Sequence, residues 1–560
     1  MSRLALLILI TLSAYFPKTK AQNTHPTFLL PDDGTAALFD PALWPFYHGV
    51  ASGDPLPDAV ILWTRVTPHS PKIGGNGATE NIEVAWEMAL DESFAHIEAS
   101  GSAQTSAKKD FTVKVDVGGL LPNTHYCYRF KAFGETSIVG RTKTAAKTYR
   151  PNENPAPFFT KNQNKPTNGL QQPQLRLAVV SCNNYEAGYF NGFARIAEIP
   201  DLDAVVHLGD YIYEYGPGEY GDTSLHRSHL PAKEITTLQD YRTRYAQYRL
   251  DPDLRAAHQM HPFICVWDDH EIANNAYAEG AENHQPEKEG GFALRKNAAT
   301  QAYYKWLPVR EGKTVYRQFS FGGLADLFML DERVAGRSAP ETSRHRAKHD
   351  ETRTMLGKEQ LEWLKKGMKN SQATWKIIGN QVLFAELNVL PVFPKIFFNY
   401  DAWDGYAPER QAIKDFLFEN DLRNTLFITG DTHSSWSFDI PRDFKKYKRK
   451  RSRNIVAHEF ATPSVTSANF DEYKGPKTVR WMAKMFSKKS VNPHLRFLDL
   501  THHGYLLLTL TPTEAVGEWH FVDTILERRA GEFVGGKEVV KAVSVPVLAG
   551  GNMSAGSAGK

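Results

Sequence analysis

The distribution of apolar residues divides the chain into two parts. Between about residues 47 and 144 the apolar runs are short and alternating, at 59–64, 82–86 and 111–115, and Gly, Pro, Asn and Asp interrupt them. Such runs with frequent turn residues are typical of a small β-sandwich. After residue 175 the runs become continuous, as expected of strands covered on both faces. We therefore predict a small all-β domain over 45–145 and a larger α/β domain over 175–525.

Each continuous run of the larger domain ends in polar residues. The runs at 177–180, 204–208, 263–267, 375–378 and 426–429 lead into Ser181-Cys182, Gly209-Asp210, Asp268-Asp269-His270, Gly379-Asn380-Gln381 and Gly430-Asp431-Thr432-His433. Because the carboxyl ends of strands in an α/β sheet lie at one edge, we expect these side chains to form one site. Helical patterns separate the runs, and one of them places Tyr241, Tyr245 and Tyr248 on one face, where we expect core packing.

The segments outside the two domains are predicted to be a signal, a linker and a tail. Residues 1–21 combine Arg3 with an apolar run over 4–16, which predicts a Sec-type signal peptide and a periplasmic or secreted protein. That run is shorter than the ~20 residues that span a bilayer, so we expect no transmembrane segment in the mature chain. Residues 146–174 are predicted to be a linker, and residues 526–560 a C-terminal extension with a disordered tail.

Charge and cysteine content limit the classes of partner and of fold. The chain has 66 basic and 63 acidic residues, so it lacks the global positive field that would favour nucleic acid, and we expect no specific nucleic-acid recognition. Its three cysteines are too few for a disulfide framework, and their odd number predicts at least one free thiol. Cys127 and Cys265 fall within strand patterns and are predicted to be buried, whereas Cys182 follows a strand.

The residues after the run at 204–208 suggest a metal site. Asp210 can bridge two cations, and Tyr213, three residues on, can supply an anionic oxygen to a hard cation such as ferric iron. A Gly-Asp turn that merely caps a helix is the alternative for this segment taken alone. Together the strand ends offer thiol, carboxylate, phenol, amide and imidazole groups, which are the donors of a mixed-metal site.

Several of these segments resemble the motifs of a known enzyme family. In chain order, Gly209-Asp210-x-x-Tyr213, Asp268-Asp269-His270-Glu271 and Gly430-Asp431-x-His433 are similar to the motifs of calcineurin-like metallophosphoesterases. Segments 47–55, 62–65, 181–182, 401–406 and 430–435 resemble the alkaline phosphatase D family in particular. The resemblance covers about residues 45–525 and implies a metallophosphoesterase four-layer β-sandwich flanked by helices. Residues 119–129 resemble a fibronectin type III domain, with a tyrosine corner at Tyr126.

The resemblance implies two metals that share one carboxylate. It makes Asp210 the bridging residue and places Cys182, Tyr213 and His433 around a ferric ion. A thiolate ligand requires a lowered pKa, which a trivalent cation supplies. The Ser181-Cys182 pair stands where the wider superfamily has Asp-x-His.

The second metal implied by the resemblance is calcium. Asp269 and Asp431 stand where the superfamily has asparagine and histidine, and carboxylate oxygens suit calcium. Asn274 and Asn275 could add amide oxygens, although an Asn-Asn pair is equally typical of a turn. His270 matches the superfamily histidine that faces the leaving group as proton donor or transition-state stabiliser.

These expectations describe an exported metal-dependent alkaline phosphatase. It would hydrolyse phosphate monoesters by attack of a metal-activated hydroxide. Phosphodiesterase or phospholipase D-like activity on diesters is one alternative, and a catalytically inactive surface-binding protein is another.

Two further segments bear on the substrate. Arg333 and Arg337 follow the run at 327–330 and could reach the bound phosphate, or could form an ion pair instead. The segment Arg442 to Arg453 has eight basic residues and one acid. It could attract anionic polymers or lipid headgroups, or be a solvated loop.

Overall fold

The computed structural model describes residues 38–68, 81–147, 173–341, 343–388, 399–449, 454–528 and 531–543. The predicted signal peptide, nearly all of the predicted linker and the predicted disordered tail lie outside these ranges. The strands are β1 (Val50–Gly53), β2 (Ala59–Arg65), β3 (Ile82–Ala89), β4 (Ile97–Thr105), β5 (Thr112–Gly118), β6 (His125–Ala132), β7 (Glu135–Thr136), β8 (Gly140–Lys143), β9 (Leu175–Val180), β10 (Ala204–His207), β11 (Pro262–Cys265), β12 (Arg317–Phe321), β13 (Ala325–Met329), β14 (Trp375–Asn380), β15 (Thr425–Thr429), β16 (Ser435–Pro441), β17 (Ile455–Ala461), β18 (Leu495–Asp499), β19 (Gly504–Leu510), β20 (Glu514–Val522) and β21 (Glu532–Lys541).

Helices cover both sides of the larger domain. They are α1 (Asn191–Ala197), α2 (Leu238–Leu250), α3 (Pro252–Met260), α4 (Pro286–Glu289), α5 (Phe292–Trp306), α6 (Arg344–His349), α7 (Gly357–Asn370), α8 (Ala407–Glu419), α9 (Phe444–Arg449), α10 (Phe470–Lys474) and α11 (Pro476–Phe486). The tyrosine stripe of α2 is buried in the core, as its spacing predicted.

The strands form three sheets. A nine-stranded sheet has the order β21-β20-β19-β9-β10-β11-β1-β2-β5, and a seven-stranded sheet has the order β12-β13-β14-β15-β17-β16-β18. In the third sheet β4, β3, β6 and β7 follow one another, and β8 pairs with β6. The first two sheets share one hydrophobic core, with helices on their outer faces. The predicted four-layer arrangement is confirmed, because each continuous apolar run became a strand covered on both faces.

The N-terminal part forms the predicted β-sandwich, but only one of its two sheets is its own. The other is the end of the nine-stranded sheet of the larger domain. A core containing Val60, Leu62 and Tyr128 lies between β1, β2 and β5 on one side and the third sheet on the other. The tyrosine corner is present, since the N–H of Leu121 donates to the hydroxyl of Tyr126 at 2.8 Å. Strand β1 pairs in parallel with β11, so the N-terminal strands extend the nine-stranded sheet of the larger domain.

The described part of the C-terminal extension contributes a strand. Strand β21 pairs along its length with β20 and forms one edge of the nine-stranded sheet. None of the described helices is long and apolar enough to cross a membrane. All three cysteines are free and buried, which confirms the prediction for Cys127 and Cys265 and puts Cys182 inside the protein.

Candidate metal centre

Polar side chains from both large sheets meet at the carboxyl ends of their central strands. Cys182 follows β9, Asp210 follows β10 and Asp269 follows β11 in the nine-stranded sheet, whereas Asp431 and His433 follow β15 in the seven-stranded sheet. The loops are tied together by backbone hydrogen bonds, among them Cys182 N–H to the carbonyl of Gly209 at 3.2 Å. The convergence predicted from the strand pattern is therefore present.

Candidate ligand atoms form three overlapping groups. In each group the atoms lie within 4.8 Å of one another, and the groups are Cys182, Asp210 and His433; Asp210, Asp269 and His270; and Asp268, Asp269 and Asp431. Asp210 belongs to two groups, as a bridging carboxylate requires. We call Cys182, Tyr213 and His433 the thiol–phenol half, and Asp268, Asp269 and Asp431 the carboxylate half.

The thiol–phenol half consists of neutral groups held by hydrogen bonds. The hydroxyl of Tyr213 donates to Asp210 Oδ2 at 2.9 Å and accepts from Ser467 at 2.6 Å. Nδ1 of His433 is 3.0 Å from the carbonyl of Ala468, so it is the protonated nitrogen and Nε2 is available to a metal. Burial lowers the pKa of His433 to about 4 and, with the nearby Asp210, raises the pKa of the Cys182 thiol.

The carboxylate half concentrates negative charge around one arginine. The guanidinium of Arg333 is hydrogen-bonded to Asp268 and lies 3.2 Å from Asp431 and 3.5 Å from Asp269. Burial raises the pKa of Asp268 to about 8 and that of Asp431 to about 6. For Asp269, burial acts in the same direction, but Arg333 and His270 outweigh it and lower the pKa to about 2.

Two buried carboxylate oxygens in this region have no hydrogen-bond partner among the described residues. They are Oδ1 of Asp210 and Oδ2 of Asp268. An unpaired carboxylate oxygen in the interior is unfavourable, and a cation would satisfy it. The donor set therefore fits metals, with sulfur, phenol and imidazole on one side of Asp210 and oxygen ligands on the other.

His270 is oriented by a second carboxylate. Its Nδ1 lies 2.7 Å from Glu214 Oε2, and its ring packs against Tyr213 with centroids 4.2 Å apart. Burial lowers the pKa of His270, but the carboxylates of Asp210, Asp269 and Glu214 outweigh burial and raise it well above the ordinary value. Glu214 thus orients the His270 ring beside the candidate ligands Asp210 and Asp269.

The backbone at the strand ends is strained where the candidate ligands lie. Cys182, Asp210, Asp431 and His433 have φ angles of 60°, 59°, 59° and 44°, in the left-handed region that such residues rarely adopt. Each such residue costs on the order of 1–3 kcal/mol, and four of the described residues with positive φ are candidate ligands. Gly209 has φ of 112°, and a Cβ there would lie 2.4 Å from Asp268, so only glycine fits this turn.

The two arginines expected to bind phosphate are buried and paired with carboxylates. Besides its contacts in the carboxylate half, Arg333 lies 2.6 Å from Asp401. Arg337 lies 2.5 Å from Asp401 and 2.9 Å from the hydroxyl of Tyr406. Both guanidinium groups thus lie beside the site, where they hold the loop containing Asp401 and Tyr406.

The remaining residues predicted from the sequence differ in how close their side chains lie to the candidate ligands. The side chain of Asn275 donates to Glu282, away from the metal groups, while its N–H donates to Asp269 at 2.6 Å. The N–H of Asn274 donates to Glu214. In the basic segment, Arg442 lies 2.6 Å from Asp415, and residues 450–453 are outside the described ranges.

Sequence reasoning missed several residues that position the site. The carboxylate of Glu271 accepts from the N–H groups of Asp210, Tyr211 and Asp268 at 3.0, 2.7 and 2.8 Å, and so joins the loops after β10 and β11. Glu271 is part of the motif Asp268-Asp269-His270-Glu271, but we assigned it no role from the sequence. Its place in that motif could have indicated that it belongs to the site. Ser467 is remote in sequence and carries no local signal.

Comparison with known proteins identifies relatives of the whole described chain. Residues 177–519 match the family model described as PhoD-like phosphatase, and residues 36–146 match that of the PhoD-like phosphatase N-terminal domain. The chain is 38% identical over 499 residues to alkaline phosphatase D of Bacillus subtilis (strain 168), an alignment that covers 86% of this chain and 79% of the relative. A solved structure of PhoD matches with a TM-score of 0.76 and 34% identity, covering 91% of this chain and 94% of that one.

Proposed function

We propose that this chain, which belongs to the PhoD-like phosphatase family, is a metal-dependent alkaline phosphatase that hydrolyses phosphate monoesters. Family membership makes it a phosphoric ester hydrolase. Dependence on metals rests on the site, whereas the preference for monoesters rests on the similarity to alkaline phosphatase D. The observation that carries the proposal is the sharing of Asp210 between a sulfur-containing and a carboxylate-containing group of candidate ligands.

The residues suit two different cations. Cys182, Tyr213 and His433 would hold ferric iron, and Asp269 with Asp431 would hold calcium, with Asp210 between them. Bound metals would activate water and neutralise charge on the phosphate oxygens. Asn274 and Asn275 could each add a side-chain oxygen to the calcium site, since the contact of Asn275 with Glu282 uses its Nδ2 and not its Oδ1.

The chain's own side chains would handle the leaving group and the phosphate. His270 would donate a proton to the departing alkoxide, because the Glu214 carboxylate at its Nδ1 stabilises the imidazolium form. Arg333 and Arg337 lie beside the site, and both form ion pairs with Asp401. When cations take over the neutralisation of Asp269 and Asp431, the Arg333 guanidinium could contact a phosphate oxygen.

Export and polymer attraction complete the proposal. The sequence of residues 1–21 supports a periplasmic or secreted enzyme. The segment Arg442 to Arg453 would attract anionic polymers or lipid headgroups through its basic residues other than Arg442, which is already paired with Asp415 and Glu419.

Metal removal combined with matched substrates tests the proposal. Chelation should abolish hydrolysis, and ferric iron with calcium should restore it, while elemental analysis follows both metals. We expect a higher kcat/KM for p-nitrophenyl phosphate than for bis-p-nitrophenyl phosphate. Full turnover by protein free of both metals would contradict metal dependence, and faster diester hydrolysis would favour the phosphodiesterase alternative. A metal-loaded protein that hydrolyses neither ester would favour the inactive surface-binding alternative.

A further inference from the structure

The loop between β17 and α10 contacts every member of the thiol–phenol half. The N–H of Ser467 donates to the carbonyl of Cys182 at 3.1 Å, and Oγ of Ser467 lies 2.6 Å from the hydroxyl oxygen of Tyr213. The next residue, Ala468, supplies the carbonyl that accepts from Nδ1 of His433. Ser467 is therefore the residue of this loop that contacts two of the three candidate ligands at once.

The hydroxyl of Ser467 has one proton and two possible acceptors. Besides the oxygen of Tyr213, the carbonyl of Cys182 lies 2.9 Å from its Oγ. A carbonyl oxygen has two lone pairs, and the N–H groups of Thr466 and Ser467 already use both on Cys182. The phenol oxygen accepts no other hydrogen bond within the described ranges. The proton of Ser467 is therefore available to Tyr213.

The packing keeps the serine and the phenol together. Ser467 and Tyr213 are both fully buried, and the carbonyl of Ser467 accepts from Oγ of Ser464 at 2.7 Å. The ring of Tyr213 lies against His270 and Tyr220, with centroids 4.2 and 5.6 Å apart. Neither group can turn to solvent, so the contact persists whether the phenol is protonated or not.

Loss of the phenol proton would change which hydrogen bonds Tyr213 makes. The neutral phenol donates to Asp210, but a phenolate has no proton and cannot. Ser467 would then be the one hydrogen-bond partner of this oxygen among the described residues. The separation of 2.6 Å suits that state, because a hydroxyl that donates to a charged oxygen lies at about 2.5–2.7 Å.

A hydrogen bond to a ligand oxygen changes the metal that the oxygen binds. A phenolate donates electron density to a cation and so makes the cation a weaker Lewis acid. A hydroxyl that donates to the phenolate withdraws part of this density. Hydrogen bonds to ligand atoms are a general means by which proteins adjust the reactivity and the reduction potential of a metal.

We propose that Ser467 is a positioning residue that limits electron donation by the phenolate of Tyr213, and so keeps the cation of the thiol–phenol half a strong Lewis acid. This role rests on the proposed function, because it concerns ferric iron held by Cys182, Tyr213 and His433. It differs from a purely structural role of the loop, since it requires the hydroxyl proton of Ser467 and not only its volume.

The variant Ser467→Ala in the iron-loaded full chain tests the proposal. Without the hydrogen bond the phenolate donates more strongly, so the tyrosinate–iron absorption should move to longer wavelength. The ratio of ferric to ferrous affinity should rise about tenfold, which lowers the reduction potential by about 59 mV for one electron. Equilibration with redox mediators measures this potential. For p-nitrophenyl phosphate kcat should fall roughly tenfold while KM is unchanged, because Ser467 is buried away from substrate.

The matched control is Thr466→Val, which removes the neighbouring buried hydroxyl with little change of shape. Oγ1 of Thr466 donates to the carbonyl of Asn184 at 2.8 Å and does not contact Tyr213. This variant should keep the absorption and the potential of the parent, and Ser467→Thr, which retains a hydroxyl, should restore both. If Ser467→Ala retains no iron, Ser467→Cys replaces it, because its weaker donor should shift the absorption in the same direction.

The outcomes separate this role from the proposed function. An iron-loaded Ser467→Ala protein with the absorption and potential of the parent would overturn the role, as would equal shifts in Thr466→Val. A parent without iron or tyrosinate absorption would overturn both the ferric site and the role. If the parent binds iron through tyrosinate but hydrolyses no phosphate ester, while Ser467→Ala still shifts the absorption, the proposed function alone would fail.

Discussion

The thiol–phenol half and the carboxylate half of the centre differ in how their buried polar groups are satisfied. Tyr213 and His433 are hydrogen-bonded to Ser467 and Ala468, so this half is neutral and complete without a cation. Asp268 and Asp431 instead depend on Arg333, and one oxygen of Asp268 has no partner among the described residues. Carboxylates crowded in the interior are costly unless a cation neutralises them.

This difference indicates that metal contributes differently to the two halves. In the thiol–phenol half, binding requires the loss of protons from Cys182 and Tyr213, whose pKa values are raised by burial and by Asp210. A highly charged ion is needed to displace those protons. In the carboxylate half a divalent ion relieves repulsion that already exists. We therefore expect the first half to select the metal and the second to gain most stability from it.

Replacing the carboxylate shared by the two halves should have the largest effect. Asp210→Asn should lower kcat at least about 100-fold and reduce the content of both metals, because Asp210 belongs to a candidate ligand group on each side. Circular dichroism should show an intact fold. The control is Asp326→Asn, a buried carboxylate hydrogen-bonded to Ser320 and Ser371 in the seven-stranded sheet. An equal loss of activity in the control would remove the special role of Asp210.

Single changes in each half should separate the metals. Cys182→Ser should lose iron and the visible absorption of a tyrosinate–iron bond while it retains calcium. Asp431→Asn should lose calcium and retain the iron absorption. Each change should lower kcat/KM by roughly 10- to 100-fold. Elemental analysis and the visible spectrum of the purified variants provide the measurement, and parallel loss of both metals in both variants would contradict the division into halves.

The sequence predicted the candidate ligands at the strand ends better than the residues that hold those ligands in place. Continuous apolar runs located β9, β10, β11 and β15, and the residues after them supplied nearly every candidate ligand. The sequence did not predict that β1 pairs with β11, where Ser52 lies opposite Pro262. No local pattern indicates which strand of another domain a given strand will pair with. Glu214 and Ser467 act through hydrogen bonds across distant segments, and these roles depend on tertiary geometry rather than on residue type or spacing. Glu271 also joins distant loops, although its motif position was a signal for it.

The smallest expected effect is a difference in pH dependence between the halves of the metal-free protein. The folded-state pKa values of Asp431 and Asp268, about 6 and about 8, lie above the ordinary value of 3.8. At these two carboxyls the folded protein therefore holds more protons than the unfolded chain, so their contribution to stability falls as pH rises from about 4 to about 8. In the thiol–phenol half, His433 has the opposite effect, because burial lowers its pKa from 6.5 to about 4 and its contribution to stability rises with pH between these values, whereas the Cys182 thiol, whose pKa is raised, stays neutral in both states below pH 8.

Thermal unfolding of the chelated protein between pH 5 and 8 should therefore show a melting temperature that falls by a few degrees relative to that of Asp431→Asn at the same pH. Asp431→Asn lacks this part of the dependence because it removes one titrating carboxyl, whereas Cys182→Ser should keep it. Calcium added at pH 8 should raise the melting temperature of the parent more than that of Asp431→Asn, because binding to the folded state stabilises it. A dependence that Cys182→Ser flattens and Asp431→Asn preserves would mean that the titrating charge lies in the thiol–phenol half instead.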